Sequence, residues 1–260
     1  ENANLNEIVT ISYPIDYNFE GKVAYLNEGT QLSVEQLLEF LLVYSANDSA
    51  YATAMYISDS VEDFVKLMNK KAKKLNMKNT NFQNPDGLDQ TNHYTTLSDL
   101  LIMSEYILKN TKIIDITNKS KFFFDNEGPV KEYMNTNLII NNGYRGLKTG
   151  WTSNAGLTFI GYKQDNDRNI ITIVNKSYVD ENKTSHFNDT ILLYEESLIN
   201  FGDNILLEST EKIYRIVNSY GSTSYSNKNN LTKFGNVNIS QTINLKDINT
   251  ASIEFINSFD

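Results

Sequence analysis

The chain has no cysteine among its 260 residues. That absence removes disulfides, thiol catalysis and thiolate metal sites together. It suits a cytosolic protein and the thiol-poor exterior of many bacteria equally well. Histidine is scarce as well: only His93 and His186 are present. A His-rich metal centre is therefore excluded, and a Ser-His-Asp triad would have to use one of the two. Positive charge is in deficit. The formal net charge of −9 speaks against a nucleic-acid surface, which needs a basic stripe. Long apolar runs are missing too, since Glu, Asn or Lys interrupts each within about a dozen residues, too few to cross a bilayer. The polar opening Glu1-Asn2-Ala3-Asn4 carries neither a signal peptide nor an initiator methionine, so the chain reads as a processed or trimmed product. What is present is an apolar content of 40%, enough for a substantial core. The length fits one large domain, or one domain with a small appendix.

Helix signals cluster in the first half. After a short strand candidate at Ile8-Val9-Thr10-Ile11-Ser12, Ser33-Val34-Glu35-Gln36 reads as a capping box. Leu37, Leu38, Leu41 and Leu42 follow at helical spacing to about Tyr44. Ser45-Ala46-Asn47-Asp48 interrupts that helix, and a new one is expected over Ala50 to Ile57. A third runs from about Ser60 to Leu75, with Val61, Phe64, Val65, Met68, Ala72 and Leu75 on one face. Lys70, Lys71, Lys73 and Lys74 form its other, solvated face. A turn-rich loop through Asn84-Pro85-Asp86-Gly87 leads to a capped helix at Thr96-Leu97-Ser98-Asp99. Strands are expected at Phe122–Phe124, 156–162 and 169–175, a helix over Phe187 to Phe201, and short alternating stretches at 213–217 and 237–239. Helices and strands are segregated, which indicates an α+β fold and not an alternating parallel sheet.

Two triplets carry chemistry. Lys148-Thr149-Gly150, within Gly146 to Thr152, puts a cation, a hydroxyl and a residue without a side chain in a row. That is what a carboxylate-binding strand needs: charge from Lys148, a donor from Thr149 and open backbone at Gly150. The plainer alternative is a lysine at a strand end followed by a turn. Ser45-Ala46-Asn47 sits where a helix breaks, so a hydroxyl and an amide project from a short loop. The plainer alternative there is that Asn47 or Asp48 caps the next helix.

Together and in this order, the triplets resemble those of the serine-type D-Ala-D-Ala carboxypeptidases, low-molecular-weight penicillin-binding proteins akin to the serine β-lactamases. Leu42 to Ala50 is similar to that family's helix-break segment. Leu75 to Phe82, Asn84 to Leu88 and His93 to Thr96 resemble its loop, and Asn135-Thr136-Asn137-Leu138 and Gly146 to Thr152 continue in sequence. The resemblance covers about residues 1–203, the expected catalytic domain. Residues 204–260 correspond in position to a β-rich C-terminal appendix or the start of a second domain. The resemblance implies a helical cluster packed on an antiparallel sheet. It also implies attack by a serine on the bond between the terminal D-alanines of a peptidoglycan stem peptide, through an acyl-enzyme. Ser45 is then in the proton-shuttling network, Asn47 bonds the substrate amide, and Lys148 and Thr149 hold the terminal carboxylate beside Gly150. The N–H of Trp151 is an oxyanion donor. His93 is read as structural. The resemblance further implies β-lactams as inhibitors, no metal or other cofactor, an exported protein of the cell envelope, and any membrane attachment through an anchor outside this chain.

One departure stands out. The family's nucleophile and base lie in a Ser-x-x-Lys motif upstream of Ser-x-Asn. Here the only Ser-x-x-Lys is Ser209-Thr210-Glu211-Lys212, which lies downstream and reads as a surface turn. The 260 residues are therefore expected to be part of an active carboxypeptidase, lacking the nucleophile helix and the strands before it; a pseudoenzyme is the lesser alternative. Absence of those elements would leave an apolar sheet edge and a core cavity. Three other functions compete. A serine β-lactamase needs a Glu between the triplets, where Glu105 lacks the Glu-x-x-x-Asn pattern and Glu196 to Asn200 comes too late. A non-catalytic peptidoglycan-binding module and a purely structural domain are the others. The 260 residues alone are expected to form no covalent penicillin adduct; a labelled serine on intact-mass analysis would overturn this.

Overall fold

The computed structural model describes residues 4–12, 20–58, 60–125, 128–165, 168–200, 212–218, 223–226 and 250–256. It comprises two compact units, Glu1–Asn141 with Arg145–Lys148, and Asn142–Tyr144 with Thr149–Asp260. The boundary expected at residues 203 and 204, and the alternating stretch at 237–239, lie outside the described residues.

The first unit opens with β1 (Ile8–Thr10) and β2 (Gln31–Ser33), paired antiparallel with Val9 opposite Leu32. Ser33 then caps α1 (Val34–Glu39) by accepting from the Gln36 N–H. The Gln36 side chain returns the bond to the Ser33 backbone, the reciprocal box expected from the sequence. The helix continues as a π-helical segment, Phe40–Tyr44, before α2 (Asn47–Ile57) begins. Ser60 caps α3 (Val61–Lys74) and Thr96 caps α4 (Leu97–Asn110). Between these helices the loop is fastened to α4 by the buried carboxylate of Asp99, which accepts from the Asn79 N–H and the Thr80 hydroxyl, both at 2.7 Å. The solvated face expected for α3 holds at Lys70, Lys73 and Lys74. Lys71 departs from it: it is half-buried, and its ammonium donates to the Tyr106 hydroxyl at 2.8 Å.

The core of this unit lies under the π-helical segment. Phe40 is fully buried and meets Phe122, Phe124 and Tyr133 edge-on at centroid distances of 4.9, 5.1 and 4.9 Å. Those three rings are presented by a hairpin of β3 (Lys121–Phe124) and β4 (Lys131–Met134). Alternation along β3 sends Phe122 and Phe124 inward and leaves Phe123 exposed. A short α5 (Ile113–Thr117) precedes the hairpin. Lys119 just beyond it bonds Glu35 and the buried Glu39, tying this segment to α1. An open cleft of about 520 Å³ runs beside the core, with Tyr25, Tyr44, Tyr133 and Lys131 among its walls.

The second unit is built on β5 (Arg145–Thr152), β6 (Gly156–Asp165) and β7 (Arg168–Ser177), in that spatial order, with the first half of β5 assigned to the first unit. β6 and β7 pair antiparallel with a shift of register between Leu157 and Phe159. Ile170 to Val174 are buried without interruption, so β7 is covered on both faces. Helix α6 (Ser185–Asn200) packs Phe187 against Phe159 at 5.3 Å. Beyond it, β8 (Lys212–Asn218) lies between β9 (Thr223–Ser226) and β10 (Thr250–Ile256) in a second antiparallel sheet. Helices gathered in the first unit and antiparallel sheets dominating the second make this an α+β fold, as expected.

Phe40 joins the helix-break segment to the aromatic hairpin. Its replacement by alanine is expected to cost about 3–5 kcal/mol, measured as a lower urea midpoint than that of the unaltered chain.

Candidate active site

The break at Ser45 follows from local backbone chemistry. The N–H groups of both Ser45 and Ala46 turn back to the Phe40 carbonyl, the wide closure of a π-turn. Ser45 is held left-handed at φ 66°, ψ 43°, a conformation costing a non-glycine residue on the order of 1 kcal/mol or more. Val43 is held from the other side, its carbonyl accepting from the Thr136 N–H at 3.0 Å. The Thr136 segment is in turn fixed by Asn135, whose buried amide donates to the carbonyls of Thr117 and Lys119. The Asn135–Leu138 stretch recognised in the sequence thus braces the helix break.

The helix after the break starts at Asn47, three residues earlier than expected. Its N-cap is Ala46, and no side chain caps it, which corrects the capping alternative for Asn47 and Asp48. Asp48 is instead fully buried and turned onto the segment Glu20–Leu26. Its two oxygens accept from the N–H groups of Ala24 (2.9 and 3.1 Å), Leu26 (3.1 Å) and Ser49 (3.0 Å). That segment lies over Asn47 as a strap. The Asn47 N–H donates to the Lys22 carbonyl and its side-chain amide to the Glu20 carbonyl, both at 2.7 Å. Gly21, at φ +87°, passes so close that a Cβ there would stand 2.7 Å from Asn47 Nδ2. One donor of the expected amide-binding side chain is therefore engaged by the strap.

Lys148 and Ser45 meet across 103 residues of sequence. The Lys148 ammonium donates to the Ser45 Oγ at 2.7 Å. Loss of hydration, and after it the charge of Lys22, pushes the Lys148 pKa down to about 8. Lys22 is held nearby with its ammonium 3.7 Å from the centroid of the Tyr44 ring. An amine that titrates near 8 can exchange a proton with a hydroxyl at neutral pH, which an ordinary lysine at 10.5 cannot.

The triplet stands inside strand β5 and not at its end; the turn follows only at 153–155. Thr149, Gly150 and Trp151 continue the strand in the second unit. Gly150 has a packing reason beyond open backbone, since a Cβ there would lie 2.6 Å from the Thr158 Oγ1 on β6. Trp151 is half exposed, with the Lys183 ammonium 3.7 Å above its ring. Within the first unit the structure therefore brings together Ser45, Asn47 and Lys148, while Thr149 to Trp151 follow by continuity of the strand. His93 stacks edge-on against Phe82 at 5.9 Å in the loop before α4. Of the expected Ser-x-x-Lys alternative, Ser209 to Glu211 lie outside the described residues and Lys212 opens β8. Lys22 is the residue that sequence reading passed over, and Asp48 figures in it only as a possible helix cap. Lys22 lies in a stretch without periodicity, and Asp48 differs from an ordinary helix-start carboxylate only in what it reaches.

Lys148 is expected to titrate near pH 8 by lysine 13Cε NMR, and replacing Lys22 by Gln should raise that value. Below about pH 8 both folded and unfolded chains hold the proton, and the burden of the buried charge is fully present. Between about 8 and 10.5 the folded chain releases it first, so the unfolded state binds more protons and stability from this group should rise with pH.

The chain matches the family model described as D-alanyl-D-alanine carboxypeptidase over residues 2–177. It is 38% identical over 138 residues to the D-alanyl-D-alanine carboxypeptidase DacF of Bacillus subtilis, covering 52% of this chain and 36% of that protein. To DacC of Escherichia coli it is 30% identical over 154 residues, covering 58% and 38%. The chain thus spans well under half the length of these relatives. Among solved structures it is similar to penicillin-binding protein D2 of Listeria monocytogenes in its cefotaxime-bound form. That match has 28% identity and a TM-score of 0.62, covering 74% of this chain and 76% of that one. It is also similar to a variant of the Streptomyces K15 DD-transpeptidase, at 25% identity and TM-score 0.69, covering 76% and 82%. A model match across more than half of the chain, on a fold these structures share, means that the chain belongs to the D-alanyl-D-alanine carboxypeptidase family.

Proposed function

We propose that the intact protein removes the terminal D-alanine from peptidoglycan stem peptides through an acyl-serine intermediate, outside the cytoplasm, and that β-lactams inhibit it by acylating the same serine. The observation that carries this reading is the 2.7 Å bond between Lys148 and Ser45. It joins the two motifs whose order the family prescribes, with the lysine's pKa lowered as proton exchange requires. In this reading Ser45 relays the proton to the leaving amine, and Asn47 supports the substrate amide. Lys148 and Thr149 hold the terminal carboxylate, Gly150 leaves the strand backbone open to the peptide, and the Trp151 N–H stabilises the developing oxyanion. β5 is an edge strand among the described residues, so its free side suits an extended peptide. The attacking serine and its lysine belong to a Ser-x-x-Lys motif, which these 260 residues do not carry in the required order. The 260 residues alone are accordingly inactive, and residues 204–260 form a β-rich appendix to the catalytic part.

The test compares the intact gene product with the 260-residue chain on acetylated L-Lys-D-Ala-D-Ala. The intact protein should release D-alanine and the shorter chain should not. In the intact protein, Lys148→Ala and Ser45→Ala should each lower kcat/KM about 100-fold or more, the scale of losing one donor at a charge that develops in the transition state. Release unaffected by either substitution, or none from the intact protein, would sink the reading. Fast nitrocefin turnover would favour a β-lactamase instead.

A further inference from the structure

Lys22 is held at both ends of the segment that carries Ser45. Its carbonyl accepts from the Asn47 N–H on one side of the serine, and its ammonium sits on the Tyr44 ring on the other. The strap that bears it is fixed by the buried Asp48 through Ala24 and Leu26, and Gly21 packs on the Asn47 amide. Lys22 is therefore held against the residues on either side of Ser45. A cation lodged on an aromatic face has no counter-charge to cancel its field, whereas one in an ion pair does. Among the described residues Lys22 forms no ion pair with a carboxylate. Its charge instead bears on Lys148, whose proton it helps to loosen. Two like charges held together in a chain of net charge −9 are unfavourable until an anion comes between them.

We propose that Lys22 is a second cation of the ligand site, so that a carboxylate is held between the ammonium groups of Lys22 and Lys148 beside the Ser45 hydroxyl. The ligand class is a peptide with a free C-terminal carboxylate. This rests on the functional reading above and adds to it a residue that lies outside both triplets.

The test uses the 260-residue chain and two probes, N-acetyl-D-Ala-D-Ala and its C-terminal amide, with binding followed by calorimetry and by lysine 13Cε NMR. The acid should shift the resonances of both Lys22 and Lys148. Lys22→Gln should weaken binding of the acid about tenfold and leave that of the amide unchanged, with Lys22→Arg restoring most of the loss. Added salt should narrow the gap between the unaltered chain and Lys22→Gln. Equal affinity of the acid for Lys22→Gln and the unaltered chain overturns the proposal, even where Lys148→Gln weakens binding; the reading of Lys148 then stands alone. Equal affinity of the unaltered chain for acid and amide overturns it as well. Failure of the functional reading would show separately, as no release of D-alanine by the intact protein.

Discussion

The buried carboxylate of Asp48 is the interaction on which the site depends. A charge this deep is tolerated only when donors surround it, and here the donors come from both the strap and the start of α2. One side chain therefore decides where the strap lies, how Lys22 is presented and which way Asn47 faces. A hydrophobic core could hold α2 in place but could not orient the strap's polar backbone, because apolar contact has no direction. The aromatic packing around Phe40 and the carboxylate of Asp48 divide the labour. The first sets the depth of the helix break and the second sets its chemistry.

The arrangement also trades hydration for reactivity. Lys148 loses water to its neighbours and gains a hydroxyl partner. The protein keeps this lysine close to its titration point, and a second cation in the vicinity pushes it further in the same direction. Such placement is unfavourable for stability at neutral pH, and it is the condition under which an amine can both bind an anion and pass a proton.

Much of this was legible in the residues themselves. The Ser33 box, the helix start near Ser60, the cap at Thr96 and the strand at Phe122 to Phe124 are local signals, and local backbone chemistry honours them. The two triplets were legible through their order. What escaped were features decided by distant partners. β4 has mixed, largely exposed residues and is a strand because the Phe-rich β3 pairs with it. α5 is too short to show a period. The first turn of α2 reads as a loop in composition, yet it is helical because the strap and Asp48 satisfy its donors. Lys22 has no sequence signal at all, since its significance lies in a ring and a carbonyl bond more than twenty residues away.

The left-handed backbone at Ser45 reaches further than its geometry. Serine and threonine offer the same hydroxyl and are often treated as interchangeable. At φ 66° they are not, because a branched Cβ collides with its own backbone there far more than an unbranched one does. The residues that tolerate this conformation best, glycine, asparagine and aspartate, carry no hydroxyl. The fold thus restricts the hydroxyl facing Lys148 to a single amino acid, through the path of the main chain and before any demand of chemistry is made.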